Sequence, residues 1–334
     1  MNTGKLSELI TGRSIWNRCV ARNPQVSVGQ GAGVDAAVLR TEGALVTATA
    51  AAGSFDYVGT IGENKELQIL AMRLKAGLTA WRAVNSVAAA GGSLCGLSDA
   101  LILPKGMKEQ WLRMMIDELE SVAEQNNVSV IGGHSEVSSD VRQPVMTVTA
   151  YGTARGEFAL HPHKGKTKKL DLVMTGFAGM EGTGVLASFR GKELQTRFRK
   201  EYLERAYRCI EQLSVVPAAV IAEENGAVAM HDLSESGVLG GLWEFGEQMD
   251  CGLTVHFEAI PIMQETIEIT EYFETNPYLM PSAGALLIAC EDGERMKGEL
   301  ESRGIESAII GRTSESRDRV VIHKDERSFL NQPR

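Results

Sequence analysis

The feature that most constrains the fold is a short polar segment near the middle of the chain. Arg155 to Leu170 contains one proline, two glycines and five lysines or arginines, a composition typical of a linker. On either side of it, apolar residues recur with regular spacing. Together with the length of 334 residues, this favours two domains, and a single large α/β unit is the alternative. The expected division is an N-terminal arm over 1–25, an N-terminal domain over 26–155, a linker over 156–170 and a C-terminal domain over 171–334.

The apolar spacing in the first half predicts the element order β-β-α-β-α-β-β. Leu67, Leu70 and Leu74 recur every three or four residues, which is the pattern of one helix face. Runs such as "ALVTATA" and "PVMTVTAYGTA" alternate between apolar and polar residues, as half-exposed strands do. The second half predicts about six strands with helices between them. The fold class is therefore α/β (or α+β) in two domains.

Composition and charge narrow the class of protein. The 334 residues carry a formal net charge of −9, so we expect no nucleic-acid partner. No apolar run reaches the roughly 18 residues that suggest a membrane span, and we expect no membrane partner. Five cysteines without metal-ligand spacing, and no recognisable signal peptide, favour reduced thiols in the cytoplasm.

A first candidate loop lies near the start of the N-terminal domain. Gly29, Gly31 and Gly33 precede Asp35. Glycines let backbone N–H groups approach phosphate oxygens closely, and Asp35 could hold a Mg²⁺ ion. The alternative interpretation is a flexible surface turn.

A second candidate loop is "IGGHSEV", predicted to follow a buried strand. Gly132 and Gly133 would allow a ligand to approach the backbone closely. His134 and Glu136 alternate along the chain, so their side chains would point the same way and could form a metal ligand and an acid–base pair. The alternative is a tight turn with a solvated carboxylate.

A third candidate loop is "HDLSESGV". His231 and Asp232 end a predicted strand, and Ser234 or Ser236 is expected to cap the next helix. A helix N-terminus at the carboxyl end of a strand is a ready anion site. The alternative is helix capping by the serines without any ligand.

These loops occur in an order that resembles one superfamily. The matching stretches include "GAGVDAAVL", "VNSVAAAGG", "IGGHSEV", "GFAGMEGTGVLA" and "AMHDLSESGVLGGLWE". Together they resemble the AIR synthase-related (PurM-like) ATP-binding superfamily, and within it the hydrogenase-maturation protein HypE and its paralogs. The resemblance implies a two-domain fold whose N-terminal domains pair across a homodimer into a barrel. It also implies that ATP lies in a cleft near the glycine-rich arm.

The resemblance assigns roles to individual residues. It implies catalytic roles for His134, Glu136 and His231, and a metal-binding role for Asp35. The residues that it implies for binding a nucleotide or phosphorylated small molecule are Gly29, Gly31, Gly33, Asn85, Gly132, Gly133, Glu181, Gly182, Thr183, Asp232 and Glu235.

The chain departs from this family pattern at several positions. Where the family has further metal-binding acids, this chain has "TAT" around Thr49, Ser86 after Asn85, and His134 with Ser135. HypE also carries a C-terminal cysteine that accepts a carbamoyl group, and no cysteine follows Cys290 here. ATP and Mg²⁺ therefore remain the expected ligands, with weakened binding, unless Asp56, Glu63 or Glu66 restores the metal site.

Two functional hypotheses follow. In the first, the protein is an enzyme that uses ATP to activate an oxygen of a small molecule or carbamoyl group, with a maturation protein as partner. In the second, it is a paralog without catalysis that works as a binding, scaffold or regulatory protein. The sequence alone does not decide between them.

Overall fold

The computed structural model describes residues 26–28, 34, 36–40, 43–51, 55, 58–59, 64–156, 158–160, 169–324 and 326–332. Their strands form a six-stranded sheet in the first half of the chain and a seven-stranded sheet in the second. The strands of the first sheet are β1 (Val26–Val28), β2 (Ala37–Arg40), β3 (Ala44–Ala51), β4 (Gly92–Pro104), β5 (Val130–Ser138) and β6 (Val145–Ala154). Those of the second are β7 (Asp171–Thr175), β8 (Ala227–Asp232), β9 (Gly252–His256), β10 (Leu286–Cys290), β11 (Ser307–Ser314), β12 (Arg319–His323) and β13 (Glu326–Phe329).

Eight α-helices lie in the described part of the chain. They are α1 (Lys65–Ala89), α2 (Glu109–Gln125), α3 (Met180–Leu194), α4 (Lys200–Arg208), α5 (Val216–Glu224), α6 (Gly237–Met249), α7 (Gln264–Tyr272) and α8 (Gly293–Ser302). None of these helices is both long and apolar enough to cross a lipid bilayer.

The first sheet has the strand order β1-β2-β3-β6-β4-β5. Its neighbours pair antiparallel, except that β4 and β5 run parallel. The long helix α1 packs on β3, β4 and β6, and α2 packs on α1. Asn64 starts α1, because its Oδ1 accepts hydrogen bonds from the backbone N–H groups of Glu66 and Leu67.

The second sheet has the order β13-β12-β9-β11-β7-β10-β8. Successive side chains of β7 point to opposite faces of the sheet, so they belong to two different layers of the core. Val173 packs with residues of α5 and α8, whereas Leu172 and Met174 pack with α6 on the other face. Helices therefore cover both faces at the centre of this sheet.

The two halves are joined through α1, which contacts α3, α5 and β8. At the end of α1, the Arg155 guanidinium donates to the carbonyl oxygens of Ala88 and Gly92 and, over 2.7 Å, to Glu223 Oε2 in α5. This arginine thus binds one buried carbonyl at the end of α1 and one at the start of β4, and its bond to Glu223 holds the second half against them.

Most predicted elements are present. The first sheet has six strands where the spacing predicts five, because β1 adds to its edge beside β2. The second sheet has seven strands, because the fully exposed β13 pairs with β12 without an alternating apolar pattern. The stretch "MEGTG" of the family motif "GFAGMEGTGVLA" forms the first turns of α3. The helix α4 ends at Arg208 and is followed by a short 3₁₀ turn, Cys209–Glu211.

Candidate functional site

Part of the predicted site lies outside the described residues. This applies to Gly29, Gly31, Gly33 and Asp35. Of the three acids that could restore a metal site, only Glu66 is described, and it is exposed in the first turn of α1. The phosphate-binding role of Gly29, Gly31 and Gly33 therefore stays a prediction.

The motif "GGHSEV" was predicted as a loop, and this prediction is wrong. It belongs to β5, the edge strand of the first sheet, which pairs in parallel with β4. Gly133 lies opposite Asp99, and a Cβ at Gly133 would overlap the Asp99 backbone oxygen. Glycine is therefore needed at 133 for close packing within the sheet, whereas Gly132 has open space around it.

The His134 and Glu136 side chains lie on the same side of β5, as their alternation predicts. His134 Nε2 is 3.3 Å from Glu136 Oε2, and the two side chains are 72% and 53% exposed. A ligand could reach both of them from solvent. Nearby, the half-buried carboxyl of Asp99 has a pKa raised by burial, an effect partly offset by a backbone hydrogen bond.

The end of β8 buries His231. Its Nε2 is 3.3 Å from Glu244 Oε2 in α6, and Ser236 Oγ donates to the other oxygen of Glu244 over 3.0 Å. These three side chains tie the loop after β8 to α6. His231 is therefore buried against a carboxylate and does not face open solvent.

The serines of "HDLSES" do not act as predicted. Ser234 Oγ donates to Asp232 Oδ1 over 2.7 Å, and Ser236 stands before α6 without making a side-chain cap. The capping interpretation is thus wrong. The chain enters α6 through Gly237, whose φ of +63° and close contact with two backbone carbonyls exclude other side chains.

The most polar buried cluster of the site lies between the two halves. Arg82, in α1, donates from Nη2 to Glu181 Oε1 over 2.8 Å, and its Nη1 is 3.4 Å from Glu235 Oε1. The side chains of Arg82 and Glu181 are 8% and 0% exposed. Glu181 and Glu235 were both predicted site residues, and the structure brings them together on one guanidinium.

The Glu181 carboxyl is unusually placed for an acid. Burial raises its pKa above the ordinary value, while the charge and hydrogen bond of Arg82 oppose the rise. The backbone N–H of Ala283 also lies beside this carboxyl and acts to lower its pKa. A buried carboxylate held in this way is stable only while Arg82 remains beside it.

Arg82 was missed in the sequence, although a signal was present. Leu78, Trp81, Arg82 and Asn85 are spaced at three and four residues and are all buried. A charged residue inside such an apolar stripe indicates a buried partner, because an isolated charge is costly to bury. The partner lies 99 residues away, so local patterns could not identify it.

Two further predicted binding residues are already engaged within the protein. The Asn85 side chain donates from Nδ2 to the Leu213 carbonyl over 2.7 Å and accepts at Oδ1 from the Val215 N–H over 3.1 Å. Thr183 is also buried, and its hydroxyl donates to the Gly179 carbonyl. A ligand would have to displace these hydrogen bonds to bind either side chain.

The described residues do not fit a magnesium site. They contain no group of three or more His, Cys, Asp or Glu side chains able to hold a metal ion. At the position of one missing acid, the Thr49 hydroxyl lies 2.8 Å from that of Thr149 on the neighbouring strand. Nothing in this part of the chain supplies the oxygen cage that Mg²⁺ requires.

Comparison with sequence families covers both halves of the chain. Residues 33–154 match the N-terminal domain of AIR synthase related protein. Residues 171–324 match the C-terminal domain of the same family.

Similar curated proteins were found at low identity. One, named "Putative hydrogenase expression/formation protein MJ0676", from Methanocaldococcus jannaschii, is 23% identical over 243 residues, which are 72% of this chain and 70% of that protein. Carbamoyl dehydratase HypE of Rhodobacter capsulatus is 24% identical over 236 residues, 69% of this chain and 66% of that protein. The chain thus aligns with about two thirds of each relative.

Solved structures share the fold over nearly the whole chain. A structure described as the HypE–HypF complex has a TM-score of 0.73 at 15% identity, covering 97% of this chain and 99% of that one. AaThiL complexed with AMPPCP and TMP has a TM-score of 0.68 at 15% identity, covering 98% and 97%. The chain therefore belongs to the AIR synthase related protein family and has its PurM-like two-domain fold, close to HypE.

Proposed function

We propose that this protein is a HypE-like member of its family that binds a nucleotide or phosphorylated small molecule in a hydrogenase-maturation type of pathway. The observation that carries the proposal is the family match over both halves, together with relatives named HypE and hydrogenase expression/formation protein. A HypE structure in complex with ATP has the same fold, with a TM-score of 0.66 at 16% identity over 93% of this chain and 90% of that one. A maturation protein would be the partner.

In the enzymatic form of this proposal, ATP activates an oxygen of a small molecule or carbamoyl group. His134 and Glu136 are the accessible side chains for proton transfer.

Three thiols in the described part of the chain are unsuited to receive a carbamoyl group. Burial raises the pKa of Cys209 to about 12, and those of Cys251 and Cys290 to about 11, so none is an accessible thiolate at neutral pH.

The second candidate function is that of a binding or regulatory paralog without catalysis. It is favoured by the absence of a metal-binding cluster among the residues that the structure describes. It is also favoured by the use of Glu181 and Asn85 in contacts inside the protein. In this form, the protein keeps the family fold and a surface that binds a ligand or another protein, but it does not carry out metal-dependent catalysis.

Calorimetric titration with ATP, with and without Mg²⁺, separates the two functions. Magnesium-dependent binding tighter than about 100 μM, equivalent to roughly 5.5 kcal/mol, supports the enzyme. In that case Asp35→Asn should abolish the magnesium dependence, whereas Asp117→Asn, an exposed aspartate on α2, should not. If millimolar ATP does not bind, the second function stands.

We further propose that the protein forms a homodimer through the edge strand β5. Ile131 and Val137 are 64% and 67% exposed there, and an open apolar edge strand favours pairing with another chain. Sedimentation velocity should show a dimer that dissociates in the double variant Ile131→Glu/Val137→Glu. The matched variant Ile267→Glu/Leu279→Glu, which alters exposed apolar residues elsewhere, should remain dimeric. A monomeric wild type would contradict this proposal.

A further inference from the structure

One segment of this acidic protein is strongly basic. Residues 190–208 contain seven lysines or arginines and three glutamates, whereas the whole chain has a net charge of −9. The segment comprises the end of α3, the connecting loop and α4. Charges more than about 10 Å apart are largely screened at 0.1 M salt. Glu265 and Glu268 of α7 lie close to Tyr202, so the positive charge that a partner meets is concentrated around Arg197, Arg199 and Lys200.

Aromatic rings hold two of these arginines in place. The Phe198 and Tyr202 rings are stacked, with centroids 5.1 Å apart and an interplanar angle of 11°. The Arg197 guanidinium lies 5.8 Å from the Phe198 centroid, and that of Arg205 lies 5.2 Å from the Tyr202 centroid. Arg197 also lies 5.6 Å from the Tyr272 ring. These contacts order the charged side chains before any partner binds, which reduces the entropy lost on binding.

Positive charge in this segment remains uncompensated. Arg205 pairs with Glu265, and Lys200 lies 3.6 Å from Glu204. Neither Arg197 nor Arg199 has a carboxylate within ion-pair distance in the described chain. Both line an open depression in the surface formed by residues 195–201. A planar guanidinium that has no carboxylate partner is suited to bind one through two parallel hydrogen bonds.

We propose that this surface docks an acidic segment of a protein partner. The Arg197 surface is defined by Arg197, Phe198, Arg199, Lys200, Tyr202 and Arg205. Glutamate and aspartate side chains of the partner bind Arg197 and Arg199, while Lys200 adds charge at the start of α4.

The geometry favours a polypeptide over nucleic acid. Base recognition in single strands needs open aromatic faces on which bases stack. Here the Phe198 and Tyr202 rings stack on each other, and guanidinium groups lie over them. The partner is also not the first 25 residues of the chain, because these carry four basic residues and one acid.

The test uses a fluorescein-labelled hexaglutamate peptide and the full-length protein. Fluorescence anisotropy should show binding that weakens between about 50 and about 200 mM NaCl. The double variant Arg197→Glu/Arg199→Glu should reduce affinity about tenfold or more, because it replaces attraction with repulsion. Thermal unfolding verifies that the variant is folded.

A matched control is available at another helix start. Lys105 and Lys108 are exposed, and Lys108 precedes α2 as Arg199 precedes α4, both without a side-chain cap. Lys105→Glu/Lys108→Glu changes the net charge equally and should leave peptide affinity within about twofold. The proposal is overturned if the wild type does not bind, if both variants lose affinity equally, or if the Arg197 variant binds normally. Tighter, equally Arg197-dependent binding of a single-stranded oligonucleotide of equal charge would also overturn it.

Discussion

Arg82 and Glu181 form an ion pair that is buried between the two halves of the protein. Arg82 lies in α1, which covers the first sheet, and Glu181 lies in the first turn of α3 in the second half. The bond from Nη2 to Oε1 is 2.8 Å long, and the second carboxylate on Arg82, that of Glu235, is partly exposed. Because both members of the pair are buried, loss of Arg82 leaves the Glu181 carboxyl without a counter-ion, whereas Arg82 also has Glu235 beside it.

Replacing Arg82 by methionine should therefore destabilise the protein severely. We expect Arg82→Met to lower the free energy of unfolding by about 3–5 kcal/mol, because Glu181 is left buried without its counter-ion. Arg82→Met/Glu181→Met should recover much of this loss, since both charges are then removed. Urea denaturation, followed by circular dichroism, gives the free energy of unfolding of the wild type and of both variants.

The exposed pair of Arg113 and Glu109, 73% and 74% accessible, is the matched control. Arg113→Met should change the free energy of unfolding by less than about 1 kcal/mol. If Arg82→Met changes the free energy of unfolding as little as Arg113→Met, the Arg82 guanidinium does not stabilise the buried Glu181 carboxylate.

The Glu181 carboxyl should make the free energy of unfolding depend on pH. Burial raises the pKa of Glu181 above its ordinary value of 4.5, so the folded protein keeps this proton at pH values where the unfolded chain has released it. Stability contributed by Glu181 therefore falls as pH rises from about 4.5 to the folded pKa, and is constant beyond it. Relative to Glu181→Gln, the wild type should lose stability over this window.

The measurement is the difference in unfolding free energy between wild type and Glu181→Gln from about pH 4 to about pH 8. Glu109→Gln, at an exposed position, controls for the change in net charge. A difference that grows in favour of the wild type as pH rises would mean that Arg82 outweighs burial and lowers the pKa instead.

Periodic patterns predicted much of this fold because they report on burial within one element. The leucine spacing of α1 and the apolar run of β7 are local consequences of packing on a single face or between two layers. The polar segment from Arg155 to Leu170 indicated two domains, and the family motifs implied the same arrangement. What sequence could not provide was pairing: β13 is exposed along its length and is a strand only because β12 lies beside it.

The candidate site was less predictable for the same reason. Glycines at 132 and 133 favour a loop by composition, yet pairing with β4 makes this stretch an edge strand. Asn85 looked available for a ligand, and its contacts with Leu213 and Val215 depend on chain segments about 130 residues away. The alternation of His134 and Glu136 needed only an extended backbone, so their proximity was predictable.

Asn85 should contribute to stability whatever the protein binds. In Asn85→Leu, the Leu213 carbonyl and the Val215 N–H lose their partners in the interior. Each unsatisfied buried group costs about 1–3 kcal/mol, so the variant should lose about 2–6 kcal/mol of unfolding free energy in urea denaturation. Asn126→Ala, which removes one partly buried bond to the Val122 carbonyl, should cost about 1 kcal/mol. Normal stability with weakened ATP binding would instead assign Asn85 to the ligand.

The two glycines of β5 provide a prediction with its control in the next residue. A Cβ on Gly133 would overlap the Asp99 backbone oxygen and crowd its carboxyl, whereas a Cβ on Gly132 meets no atom within 4 Å. Gly133→Ala should therefore cost about 1–3 kcal/mol through overpacking, and Gly132→Ala should be nearly neutral. Thermal unfolding of both variants gives the comparison. Equal melting temperatures would show that β5 can move away from β4 and that sheet packing does not require glycine at 133.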